Sequence, residues 1–320
     1  MKKKDFTRAG TFSGKRIGTA LCAATFLMCG CGNENETAGT DTDGRVPLQV
    51  SAGIQTRAYD DRWNKDDAIG IYMLNGADAE ASNKKYTTTD ATAGGTFSAT
   101  GGDIIYFPTD GSTRDFIAYY PHRTDVTADG TYTVNLGSQT PQKDIDLMRS
   151  TKVTGKHKDD ASVAFRFSHK LVKIEINIEA GTGMEGVSLA GTKVTLTNQT
   201  LTGTFNVLAE DAKATADDAT EEKPLQNIEF CTASDGSKYE AIVFPAASTA
   251  NMDMKFIVPA LSETVPFTFT VNKAEKSQKF EAGRKYLYTI TVNKIGLGVT
   301  STIEPWGEGN GEGGETGSAE

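Results

Sequence analysis

Cysteine is scarce in this chain of 320 residues, with four in all: Cys22, Cys29 and Cys31 lie together near the start, and Cys231 stands alone afterwards. A disulfide framework for the main body is therefore excluded. Cys231 follows Ile228-Glu229-Phe230 and reads as a strand thiol rather than a nucleophile, since no histidine accompanies it in sequence. Histidine is also rare. His122, His157 and His169 are scattered, without HxxxH-type spacing or a neighbouring cysteine motif, so they read as hydrogen-bonded or solvent groups rather than zinc ligands. No apolar run is long enough to span a bilayer: the longest, Ile17–Met28, has twelve apolar or small residues. Positive charge is in the minority, with a formal net charge of -9, which argues against nucleic acid as a partner.

The apolar run has a different use. Lys2, Lys3, Lys4, Arg8, Lys15 and Arg16 precede it, and Leu27-Met28-Cys29-Gly30-Cys31 ends it. A basic n-region, a short h-region and a small residue before a cysteine describe a lipoprotein export signal over residues 1–30, with Cys31 as the lipidation site. Loss of that signal removes six basic residues and one acid, which takes the formal charge to about -14. The acyl chains, rather than a basic face, would then hold the chain to an outer membrane. Residues 31–45, after Cys31, are mostly Gly, Asn, Glu, Thr and Asp with no apolar pattern and read as a tether; residues 307–320 are mostly Gly and Glu and read as a disordered acidic tail.

Between these ends the hydrophobic pattern has period two. Strands are predicted from Val46 through Ile54 to Arg57 and at Ile69–Leu74, Tyr86–Thr89, Thr96–Ala99, Ile104–Phe107, Phe116–Tyr120 and Tyr132–Leu136. Turns such as Thr109-Asp110-Gly111 separate them. A second series opens at Val163–Phe167. It continues through Leu171–Ile178, Lys193–Leu196, Gly203–Val207, Ile228–Cys231, Tyr239–Phe244, Met252–Val258, Val265–Val271, Tyr286–Val292 and Val299–Ile303, with Ala209–Glu222 as a surface loop. Short strands without crossover helices indicate an all-β protein built of sandwiches, and the length suits two domains, residues 46–163 and 164–306.

No catalytic constellation accompanies this frame. There is no GxSxG elbow, and the pairs Asp60-Asp61, Asp66-Asp67 and Asp159-Asp160 lack EF-hand spacing and read as solvated turn charge. No cofactor and no metal is expected. Most aromatics sit inside strands and read as core, while Trp63 and Trp306, at strand edges, seal the ends of a core or present a binding face.

Several segments in order carry a resemblance. Thr56-Arg57-Ala58, Trp63, Asp67-Ala68-Ile69-Gly70-Ile71-Tyr72-Met73, Ile105-Tyr106-Phe107-Pro108, Asp115-Phe116-Ile117-Ala118-Tyr119-Tyr120-Pro121 and Phe167-Ser168-His169-Lys170-Leu171 come first. Phe280-Glu281-Ala282-Gly283-Arg284-Lys285-Tyr286 and Ile303-Glu304-Pro305-Trp306 close the series. Taken together the chain resembles the fimbrillin family, the Mfa-like group of type V pilus lipoproteins. The resemblance implies two transthyretin-like Greek-key β-sandwich domains in tandem, display on the outer membrane, and assembly into fimbriae with other subunits. It further implies that an arginine-specific protease removes the first strand and that a neighbour's strand fills the opened groove. Arg57 follows the first strand, so a cut there would open the groove; a cut at Arg45 would release only the tether, and the absence of any cut is the third alternative. Leu297, Val299 and Ile303 either complete the second sandwich, which fits a tip, anchor or accessory role, or serve as donor-strand anchors of a stalk subunit. The alternative function is a monomeric surface lipoprotein that binds a glycan or host protein.

Overall fold

The computed structural model describes residues 41, 43–54, 62–89, 91, 94–232, 238–306 and 312–319. Among them the fold is all-β, and no helix is long and apolar enough to cross a membrane. The first strands are β1 (Gln49–Ile54), β2 (Ala68–Asn75), β3 (Asp78–Thr88), β4 (Gly94–Ser98), β5 (Arg114–Tyr120), β6 (Thr131–Asn135), β7 (Met148–Ser150), β8 (Val153–Lys156) and β9 (Ser162–His169). There follow β10 (Val172–Ala180), β11 (Lys193–Gln199), β12 (Thr202–Asn206), β13 (Thr215–Ala216), β14 (Gln226–Glu229), β15 (Cys231–Thr232), β16 (Lys238–Val243), β17 (Asp253–Ile257), β18 (Phe267–Thr270), β19 (Arg284–Asn293), β20 (Gly296–Pro305) and β21 (Glu312–Ala319).

The first sheet runs β2-β3-β4-β1-β9-β7-β5-β8, and an added β2–β5 pairing closes seven of its strands into a barrel. Alternate side chains fill the interior: Leu48, Val50, Ala52, Ile69, Ile71, Phe97, Phe116, Val163, Phe165 and Phe167 form one buried cluster. Strands β2 and β5 depart from period two because both their faces are covered. Their other faces carry Tyr72, Leu74, Ile117 and Tyr119 into a second cluster, with Tyr132, Val134 and Phe205 from a three-stranded sheet of order β13-β12-β6. A glycine is required where the two strands cross register. Gly70 pairs with Tyr119, whose ring lies over it and whose hydroxyl donates to Asn83 Oδ1 at 2.7 Å. A Cβ at position 70 would overlap Tyr119 Cε1 and stand 2.7 Å from Asn83 Oδ1. Gly70→Ala is therefore expected to destabilise the protein by about 2–4 kcal/mol. Urea unfolding would show this as a lowered midpoint at unchanged m-value.

The remaining strands form two sheets, β15-β16-β10-β19-β20-β21 and β14-β11-β17-β18. Between them lies the largest core cluster, including Ile174, Ile176, Leu196, Met254, Phe256, Phe269, Tyr286, Tyr288, Ile290 and Val292. The opposite face of the six-stranded sheet carries ion pairs between strands: Lys238–Glu175 at 2.8 Å, Lys238–Glu240 at 3.2 Å and Lys173–Glu240 at 3.5 Å.

Several details differ from expectation. The predicted strand Ile104–Phe107 is irregular and meets the sheet through one bridge, Pro47 to Tyr106. The strand predicted to open the second series, Val163–Phe167, is β9 of the barrel, bonded to β1 and β7, so the first sheet extends to His169. Its alternation is that of any half-buried strand and carries no information on its partners. The loop Ala209–Glu222 contains the two-residue β13. In the acidic tail, expected to be disordered, Glu312–Ala319 lies antiparallel along β20. Asp67, grouped by sequence with solvated turn acids, is buried: it accepts from the Asn64 backbone N–H at 2.7 Å and the Tyr120 hydroxyl at 3.2 Å. Burial is the largest influence on its carboxyl and raises its pKa.

Candidate strand-exchange slot

Val46-Pro47-Leu48-Gln49-Val50-Ser51-Ala52 alternates apolar and polar residues, and in the barrel this segment is held along both edges. Strand β1 pairs antiparallel with β4 from Val50↔Phe97 to Gly53↔Gly94, and parallel with β9 from Gln49↔Ser162 to Ile54↔Phe167. Ahead of the strand, the Leu48 N–H donates to Ile105 O at 2.9 Å and the Phe107 N–H to Val46 O at 3.0 Å. Leu48, Val50 and Ala52 point into the core, while Val46 and Ile54 pack at its two ends. Trp63 closes the wall behind them. Its indole N–H donates to Ala52 O at 2.7 Å, and its ring meets Phe97, Tyr120 and Phe167 edge to face at 5.0–5.4 Å between centroids. The geometry is that of a strand-shaped slot lined by β4, β9 and Trp63, with β1 as its occupant. Gly94 and Gly95 of β4 leave the slot wall without bulky side chains opposite Gly53 and Ala52.

Of the residues singled out by sequence, Arg45 stands just before this slot. Its guanidinium pairs with Asp41 at 2.7 Å and lies 4.2 Å over the Tyr106 ring centroid, with 44% of the side chain exposed. A chain break after Arg45 would leave β1 in place. Arg57 and Cys31 lie outside the described residues. Leu297, Val299 and Ile303 occupy one face of β20: the first two are buried in the second core and Ile303 packs against it, while β20 pairs with β19 from Arg284↔Pro305 to Asn293↔Gly296. Both tryptophans are buried, Trp63 at 1% and Trp306 at 4% exposure. Trp306 lies face to face with the His169 ring, 3.9 Å between centroids, and His169 Nδ1 sits 2.7 Å from Asp146 Oδ1. Among the described residues no group of His, Cys, Asp and Glu has the arrangement of a metal site. Cys231 is a half-buried thiol whose Sγ lies 3.1 Å from Glu240 O, and burial above all raises its pKa.

Sequence reasoning missed Gln139 and Arg149, which join the barrel to the strands that follow it. Gln139 Nε2 donates to Leu136 O and Ile242 O, and its Oε1 accepts from the Ile242 N–H at 2.7 Å. Arg149, on the three-residue β7, donates from Nε to Val207 O and from Nη2 to Ala209 O. Nothing in the local pattern marks either residue, since the partners that join the two parts, at Ile242, Val207 and Ala209, are backbone groups far along the chain.

The model of the fimbrillin-like family matches residues 56–306. A candidate fimbrium subunit of Bacteroides uniformis, Fim1C, is 49% identical over 306 residues, covering 94% of this chain and 98% of its own length. The crystal structure of a candidate cell adhesion protein from Bacteroides uniformis superposes with a TM-score of 0.75 at 47% identity, covering 83% of this chain and 99% of that one. A candidate cell adhesion protein from Bacteroides ovatus has the same fold, with a TM-score of 0.64 at 22% identity, over 82% of this chain and 98% of its own.

Proposed function

This chain belongs to the fimbrillin-like family, and from that premise we propose that it is a structural and adhesive component of cell-surface fimbriae, joined to other subunits by β-strand addition. The observation that carries the reading is the position of β1, an interior strand of the barrel that reaches the core through Leu48, Val50 and Ala52. Loss of an interior strand leaves two rows of unpaired backbone groups and an apolar furrow, and an extended segment of a neighbour satisfies both at once. Head-to-tail contacts of this kind do not close, so they propagate.

In this reading Cys31 carries the lipid that delivers the chain to the outer membrane, and the cut falls at Arg57, with Arg45 the less effective position because β1 would stay. The barrel and the paired sheets are the two tandem domains, of the transthyretin-like kind, with the change between them near Lys170. Burial of Leu297 and Val299 within the second core supports their role in completing that domain rather than in donation. The Gly/Glu segment beyond Trp306 has no bulky apolar anchors at alternate positions, which favours a tip, anchor or accessory place over a repeating stalk subunit.

Treating residues 32–320 with an arginine-specific protease in the presence of the native neighbouring subunits is expected to give species of higher mass by light scattering. A product trimmed to Ala58 that stays monomeric beside those neighbours overturns strand addition.

A further inference from the structure

A cavity of about 550 Å³ opens where β9 passes into β10, and it is lined by Ser168, His169, Lys170, Lys213, Arg284 and Trp306 together with Asp211. Three cations and one acid meet in it. Here Lys213 is paired with Asp211 at 2.7 Å, but Lys170 and Arg284 have no ion-pair partner among the described residues. Lys170 is half-buried, and behind it the Arg149 guanidinium is committed to the carbonyls of Val207 and Ala209. Burial first, and the Arg149 charge second, lower the pKa of the Lys170 ammonium. A desolvated cation without a counter-charge is costly, and an arriving anion relieves that cost.

The other walls narrow the class of anion. Trp306 Nε1 and His169 Nε2 are buried polar atoms without a hydrogen-bond partner. Both rings are held in place: they stack on each other at 3.9 Å between centroids, the Trp306 backbone N–H donates to Gly283 O at 2.7 Å, and His169 is held by Asp146. The Asp211 carboxylate faces the same space and would repel a ligand made only of negative charge, whereas it accepts hydrogen bonds from hydroxyl groups. The volume is that of a single compact ligand rather than an extended chain.

From these observations we propose that this cavity binds a carboxylate carried on a hydroxylated body, as in a sugar acid. Lys170 and Arg284 hold the carboxylate, Asp211 accepts from the hydroxyls, and the Trp306 indole forms the apolar wall. The site stands at the end of β9, just beyond the Ile54↔Phe167 pair that closes the β1 slot.

The chain has two tryptophans, Trp63 in the barrel core and Trp306 at the cavity, so indole emission reports on binding. Titrating the full chain in non-ionic detergent with D-glucuronate is expected to shift that emission saturably, with D-glucose giving no change. Lys170→Gln and Arg284→Gln are each expected to weaken binding about tenfold at unchanged melting temperature. Arg284 is exposed, so its replacement remains informative even if the Lys170 variant folds poorly. Absence of saturable binding, or binding unaltered in the Arg284 variant, would overturn the site. Succinate binding as tightly as glucuronate would overturn its assignment to sugar acids.

Discussion

Deleting residues 46–54 is expected to lower the melting temperature by roughly 10–20 °C, and adding a synthetic peptide of the same sequence is expected to restore most of it. Leu48 and Val50 each contribute about 1.5–3 kcal/mol by burial, and each lost backbone hydrogen bond about 1 kcal/mol, against a total stability of about 5–15 kcal/mol for a typical domain. A loss of several kcal/mol in a barrel of this size translates into a shift of that order. Because the Trp63 N–H donates to Ala52 O, its emission should move to the red on deletion and return with the peptide. Retention of the parental melting temperature and emission by the deleted chain would show that β1 is dispensable and the slot is not a joint.

Deleting residues 297–320 is expected to have an effect at least as large, centred on the second core and reaching the cluster against the barrel through Trp306. It strips β20 from β19 along nine residue pairs and removes the buried Leu297, Val299 and Trp306. Removing 307–320 alone takes away β21, whose glycine-rich sequence offers little to bury, and should leave the melting temperature within about 2 °C of the parent. Scanning calorimetry of the two truncations distinguishes the assignments. If the shorter chain remains well folded and fails only to join a neighbour, Leu297, Val299 and Ile303 are donor anchors and the chain is a stalk subunit.

How far the sequence could be read depended on whether a feature was local. Tyr286, Tyr288, Ile290 and Val292 announce β19 through strict alternation, and the same holds for Val172, Ile174 and Ile176 of β10; each is buried as the pattern requires. Which sheet a strand joins is not a local property. Val163, Phe165 and Phe167 look like the start of the second series, yet they line the barrel because β1 lies beside them, more than a hundred residues earlier in sequence. The three residues of β7 are too few to show a period, and a buried arginine in their middle argues against a strand until its carbonyl partners are known. The slot was legible as a first strand followed by an arginine, but its two neighbours were not. The cluster of Lys170 and Arg284 was invisible for the same reason, since 114 positions separate the two residues.

The three-stranded sheet has a bearing on stiffness. Strand β6, which lies in sequence between barrel strands β5 and β7, pairs with β12 of the later part from Thr202↔Asn135 to Asn206↔Thr131, while Gln139 and Arg149 bond to backbone carbonyls on the far side of the same seam. Flexing the two parts against each other would have to break backbone hydrogen bonds in a row, unlike the rotation about a single linker that tandem domains usually allow. A filament built from such units would therefore be a string of rigid segments. Its curvature would be taken up at the joints between copies, so the length of chain bridging one copy to the next, rather than the compliance of the fold, would set how sharply it bends.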